Sequence, residues 1–86
     1  MMPFIEIKEN DNISIRLFNS ETKPDLFVWH RDREDRIIES LNDTDWKIQL
    51  DNELPKVITG SIFIPMGIYH RLIKGTGDLK IKLKKI

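Results

Sequence analysis

Short apolar segments recur about every ten residues along this chain, each followed by a cluster of polar turn formers. "PFIEI" runs into "KENDN", "ISIRLF" into "NSETKPD", "LFVWH" into "RDRED" and "IIESL" into "NDTD". "WKIQL" precedes "DNELP", "KVITG" leads to "SIFIP", and "IYHRLI" and "KGTGD" precede the closing "LKIKLKKI". Several segments alternate with the period of a strand. Ile13, Ile15 and Leu17 share one face; Trp46, Ile48 and Leu50 lie opposite Lys47, Gln49 and Asp51; Leu79, Ile81 and Leu83 alternate with Lys80, Lys82 and Lys84. The one helix candidate, Arg33 to Leu41, has too few apolar positions at 3.6-residue spacing and carries the β-branched pair Ile37-Ile38, so it too reads as strand. About eight short strands with regular turns predict an all-β sandwich or barrel.

Composition supports this. The chain contains no Ala, the best helix former, and is rich in Ile. Its 86 residues predict a single domain, 1–86, with a modest core. Association into a homodimer would add buried surface. Lys and Arg number 14, as do Asp and Glu, so the basic excess of a nucleic-acid binder is absent and no nucleic-acid partner is expected. The C-terminal lysines alternate with apolar residues, the pattern of a half-exposed strand. There is no Cys, which excludes disulfides and thiolate metal sites. No apolar run approaches the ~20 residues that cross a bilayer, and "MMPFIEIKEN" lacks the features of an export signal. A cytoplasmic protein without a membrane partner is therefore expected.

The candidate chemistry lies in two places. "WHRDREDR", Trp29 to Arg36, crowds charge into a segment expected to enter the core. On a strand, His30 and Asp32 share one face with Cβ atoms roughly 7 Å apart, while Arg31 and Arg33 point outward. The second His of the chain stands in "GSIFIPMGIYH". There Gly60 permits a tight turn, Pro65 ends the strand "SIFI" for want of an N–H, Gly67 can take positive φ, and Ile68, His70 and Leu72 share a face of the next strand.

"PMGIYH" resembles the second motif of the cupin superfamily, Pro-x-Gly-x-x-His, residue for residue, with the spacer from Gly60 to Pro65 one residue short. "WHRDREDRIIESLNDTDW" resembles the first motif with departures. His-x-His has become His30-x-Asp32, the family's Glu is replaced by Arg36 or Ile37, and Asn42 to Asp45 replace its turn Gly. The resemblance implies a small antiparallel β-barrel of jelly-roll type with His70 as an inward-facing metal ligand.

With His30 and Asp32 it would form a facial triad for a divalent ion (Fe, Mn, Zn or Ni), leaving positions open for a small-molecule ligand or for oxygen. Glu34 and Asp35 are spare carboxylates. Arg36 is the candidate to bind a carboxylate or phosphate, because its planar fork pairs bidentately with such groups; equally, it can pair with Asp32 or Glu34 and replace the metal. Gln49 is a ligand-binding candidate if its strand turns it inward, against the alternation that turns it to solvent. Arg71 is expected to face away from the interior, and Trp29 and Tyr69 to face away from the histidines, into a second layer or a dimer contact. Three functions follow: a metal-dependent oxygenase, isomerase or lyase acting on a small anionic molecule; a metal-free module binding a sugar or carboxylate; and an interaction or assembly protein.

Overall fold

Among the described residues eight strands form, and every pairing between them is antiparallel. They are β1 (Ile5–Lys8), β2 (Ile13–Phe18), β3 (Arg36–Ser40), β4 (Lys47–Leu50), β5 (Lys56–Val57), β6 (Ser61–Ile64), β7 (His70–Ile73) and β8 (Leu79–Lys85). The structure is a computed structural model that describes residues 3–86; the first two residues of the N-terminal stretch, read above as lacking an export signal, lie outside the described residues. One sheet has the order β1-β2-β8-β3-β6 and the other β5-β4-β7, the all-β, jelly-roll-like arrangement expected. Among the described residues, no helix is long and apolar enough to cross a membrane.

The inner faces of the two sheets supply one core. Trp46, Ile48 and Leu50 come from the smaller sheet and the segment leading into it, and Phe18, Ile38, Ile62, Ile64, Leu79, Ile81 and Leu83 from the larger. The β4 and β8 alternations thus face as their patterns predict: Leu79, Ile81 and Leu83 are buried, and Lys80 and Lys84 are exposed. Phe4, Phe18, Phe27 and Trp46 form a chain of tilted and edge-on rings with centroids 5.4–5.9 Å apart. The Trp46 indole N–H is satisfied by the Gly77 carbonyl at 3.0 Å.

Two details differ from the sequence reading. "LFVWH" is not a strand: Pro24–Leu26 makes a single 3-10 turn, and only His30 pairs, in an isolated bridge with His70. The reason lies in its neighbour. β7 starts only at His70, because Pro65 to Gly67 make a turn with φ +79° at Gly67, so nothing extended lies alongside the segment beyond that bridge. Second, β2 presents its apolar set outward. Ser14, Arg16 and Phe18 register with Leu83, Ile81 and Leu79 on the inner face, while Ile13, Ile15 and Leu17 register with Lys84, Lys82 and Lys80 on the outer one.

Candidate functional site

Between the sheets lies a cavity of about 250 Å³. His30, Asp32, Arg36 and His70 line it together. His70 arrives as the first residue of β7 and is 5% exposed. His30 is locked to it through the backbone: its N–H donates to the His70 carbonyl at 3.0 Å, and the His70 N–H returns to the His30 carbonyl at 2.8 Å. Two residues on, the Asp32 carbonyl accepts the Gly67 N–H at 3.0 Å. These three bonds give the irregular segment the alternation of a strand, so His30 and Asp32 turn toward the cavity, His30 staying solvent-exposed at its rim, while Arg31 and Arg33 point away into solvent.

One donor atom from each of His30, Asp32 and His70 lies within 4.8 Å of the other two, and the imidazole centroids are 4.3 Å apart. Both rings are anchored in the same manner, through Nδ1. His30 Nδ1 is 3.0 Å from the Val28 carbonyl and His70 Nδ1 is 2.9 Å from the Ile68 carbonyl. A carbonyl only accepts, so each Nδ1 carries the proton, and in the neutral ring Nε2 keeps its lone pair. Burial pushes His70 below the usual imidazole range; its bond to the Ile68 carbonyl pulls the other way, and His30 pushes down again. His70 Nε2 then faces Asp32 Oδ2 at 3.2 Å, and Oδ2 is buried without a hydrogen-bond partner. Two acceptors facing each other, His70 Nε2 and Asp32 Oδ2, beside a second imidazole whose Nδ1 is likewise spent on the backbone, fit a cation between them. Nitrogen and carboxylate donors in this set suit Fe, Mn, Zn or Ni.

Arg36 completes the polar end. Its Nη1 is 3.3 Å from Asp32 Oδ1, and its Nε and Nη2 donate to Glu34 Oε1 at 3.3 and 3.0 Å. Those bonds hold the Glu34 carboxyl below its ordinary range. Arg36 therefore lines the cavity and pairs with Asp32 and Glu34, the pairing weighed for it above. The two spare carboxylates are not in the site: Glu34 serves Arg36 and Lys85, and Asp35 Oδ1 accepts the Met66 N–H at 2.7 Å.

Gln49 lies on the side to which the alternation turns it, and the inward position that would let it bind a ligand is not adopted. It registers with Arg71 on the outer face of the small sheet, its Oε1 accepting from Arg71 at 2.9 and 3.1 Å and its Nε2 donating to the Glu53 carbonyl, so its amide is spent away from the cavity. Arg71 faces outward as expected and stacks over Trp29 at 4.8 Å, while Arg31 lies 5.2 Å from the ring of the outward-facing Tyr69. Arg16 is the lining residue that the alternation alone does not reveal. It reaches the far end of the cavity, its Nε 2.7 Å from Glu6 Oε2 and its Cζ 4.2 Å from the Phe4 centroid. The phase of "ISIRLF" is set by Phe18, its last residue, joining the core, against the three apolar residues of the opposite set.

No family model matches the chain, and no curated protein matches it in sequence. Its likeness to solved structures lies in the fold. An RmlC-like cupin from Shewanella frigidimarina superposes with TM-score 0.68 at 17% identity, over 95% of this chain and 73% of that one. A DMSP lyase superposes with TM-score 0.71 at 11% identity, over 85% of this chain. The Fe(II) form of HppE, solved with an alternative substrate, gives TM-score 0.64 at 14% identity over 96% of this chain. The chain spans only 36% of the DMSP lyase and 48% of HppE. The fold is that of the cupins, as the two motifs imply.

Proposed function

We propose that this chain is a metal-binding cupin-fold protein that holds a divalent ion on His30, Asp32 and His70 and receives a small anionic molecule in the cavity beside it. The observation that carries this reading is Asp32 Oδ2, buried without a hydrogen-bond partner between two imidazoles whose Nδ1 protons are already given to backbone carbonyls. HppE was solved in its Fe(II) form, which supports including iron among the ions to test. An ion so bound supplies Lewis-acid polarisation of a substrate oxygen, or activation of water or dioxygen. The chain's own residues orient the ligand: Arg36 offers its guanidinium to a carboxylate, and the apolar walls receive the rest of the molecule. Oxygenase, isomerase and lyase assays cover the chemistries this fold accommodates.

The test is elemental analysis of protein purified without chelator, followed by metal titration. About one ion per chain is expected, and none in His30→Ala or His70→Ala. Wild-type protein that carries no stoichiometric metal and takes none up on titration would refute the triad.

The Arg36–Asp32 contact favours a second reading, a metal-free module in which the guanidinium stands where the ion would otherwise act. Ligand binding unchanged by EDTA supports that reading. In either case the chain is proposed to work in the cytoplasm as a homodimer, its outer β1–β2 face being apolar.

A further inference from the structure

We propose that the molecule taken by this cavity is a small monocarboxylic acid with a compact apolar body, not a sugar or sugar phosphate. The inference deepens the reading above and rests on it, since the acid group is assigned to the polar end formed by Arg36 and the triad.

The lining divides sharply by chemistry. Among the described residues, its only polar members are Arg16, His30, Asp32, Arg36 and His70; every other lining side chain is apolar, with Ile38, Ile64, Leu72, Ile81 and Leu83 forming much of the wall. No Ser, Thr, Asn, Gln or Tyr faces the space. A sugar's hydroxyls would leave water there with nothing to replace it, which is unfavourable at each hydroxyl. A hydrocarbon body loses nothing and gains contact.

Size sets the scale of that body. An apolar cavity of about 150 Å³ accommodates benzene, so about 250 Å³ takes a molecule of about ten non-hydrogen atoms. Benzoate or a branched short-chain acid fits this range.

Charge sets the number of acid groups. Arg36 is matched by Glu34, and Arg16 by Glu6. Asp32 is then the remaining lining charge, and a divalent ion brings the polar end to a single positive charge. A monoanion balances it. The two guanidiniums stand apart: Arg16 registers with Ile81 and Arg36 with Lys85 four residues along β8, on strands that flank it. Arg16, already bonded to Glu6 and stacked on Phe4, caps the apolar end and leaves no free charge for a second acid group. Arg36 spends three of its five N–H groups on Glu34 and Asp32, which leaves two for a carboxylate.

Isothermal titration of the full chain tests this with benzoate, benzyl alcohol, acetate and mannose 6-phosphate, each against Zn²⁺-loaded and EDTA-treated protein. Benzoate is expected to bind at least tenfold tighter than benzyl alcohol, which lacks the charge, and than acetate, which lacks the body; mannose 6-phosphate is expected to give no heat. Equal affinity for benzoate and benzyl alcohol, or for benzoate and acetate, overturns the proposal. So does mannose 6-phosphate binding as tightly as benzoate. Failure of Zn²⁺ uptake would sink the metal assignment alone: preference for benzoate in the EDTA-treated arm then still upholds the ligand class, and its absence from both arms overturns it. Arg36→Lys keeps the charge but loses the fork, so benzoate should weaken about tenfold; unchanged affinity removes Arg36 from the acid site.

Discussion

At Asp32 the two carboxylate oxygens have unlike surroundings. Oδ1 faces the Arg36 guanidinium, whereas Oδ2 faces the lone pair of His70. Asp32→Asn keeps the shape and removes the charge, so metal affinity by titration is expected to fall at least tenfold, with the far-UV circular dichroism of the sheets unchanged. The amide can donate to His70 Nε2, which closes the position from which an ion would otherwise be held. Another residue whose exact type matters is Gly75. A Cβ there would run into Asp45 Oδ1 and stand 2.7 Å from the Trp46 nitrogen, where Asp45 also accepts from both the backbone and the hydroxyl of Thr76. Gly75→Ala is expected to destabilise the protein by about 1–3 kcal/mol, read as a lower urea midpoint at unchanged slope. "KGTGD" announces a turn from its composition. Which of its glycines is required for space is set by a loop thirty residues earlier, and local sequence carries no trace of that approach.

Strands were legible where one side chain set was apolar and the other charged. β8 is the clear case, with lysines outside and Leu79, Ile81 and Leu83 inside. β2 was legible as a strand but not in its facing, because both of its sets can be buried: Ile13, Ile15 and Leu17 point out, and Arg16 points in. The inward Arg16 is tolerated because Glu6, its cross-strand partner on β1, faces it. Glu6 and Glu34 are both held below the ordinary carboxyl value of 4.5, chiefly by hydrogen bonds from Arg16 and Arg36. A carboxyl whose folded value is depressed adds stability that is present above its unfolded value and is lost as pH falls through the folded one. Urea unfolding at successive pH values should therefore show stability falling from about pH 4.5 downward, and Glu6→Gln with Glu34→Gln should flatten that fall. The segment from Phe27 to Asp35 was the hardest to read. Its strand-like alternation comes from three backbone bonds to the turn at Gly67 and to His70, partners some forty residues away.

For the whole molecule, an all-β, jelly-roll-like fold of about eight short strands was implied by the regular spacing of apolar segments and by "PMGIYH". What covers the outside was not. Ile5 is 66% and Ile7 54% exposed, and both register with the outward set of β2, so the larger sheet carries an apolar outer face at its β1 edge. Exposed apolar area of this kind marks a contact surface. Light scattering on a sizing column is expected to give twice the 10.2 kDa chain mass, and Ile7→Lys to return it to a single chain. A monomeric wild type would set the homodimer aside without touching the cavity.

The paired backbone bonds between His30 and His70 have a consequence for measurement. The two imidazoles proposed to hold the ion hang from amides that are already bonded to each other across forty residues of sequence. An ion that restrains the rings is expected to slow the opening of those amides, since each ring is joined to its own backbone by a single side chain. Hydrogen–deuterium exchange at these two amides thus becomes a built-in gauge of occupancy that needs no substrate and no knowledge of the reaction.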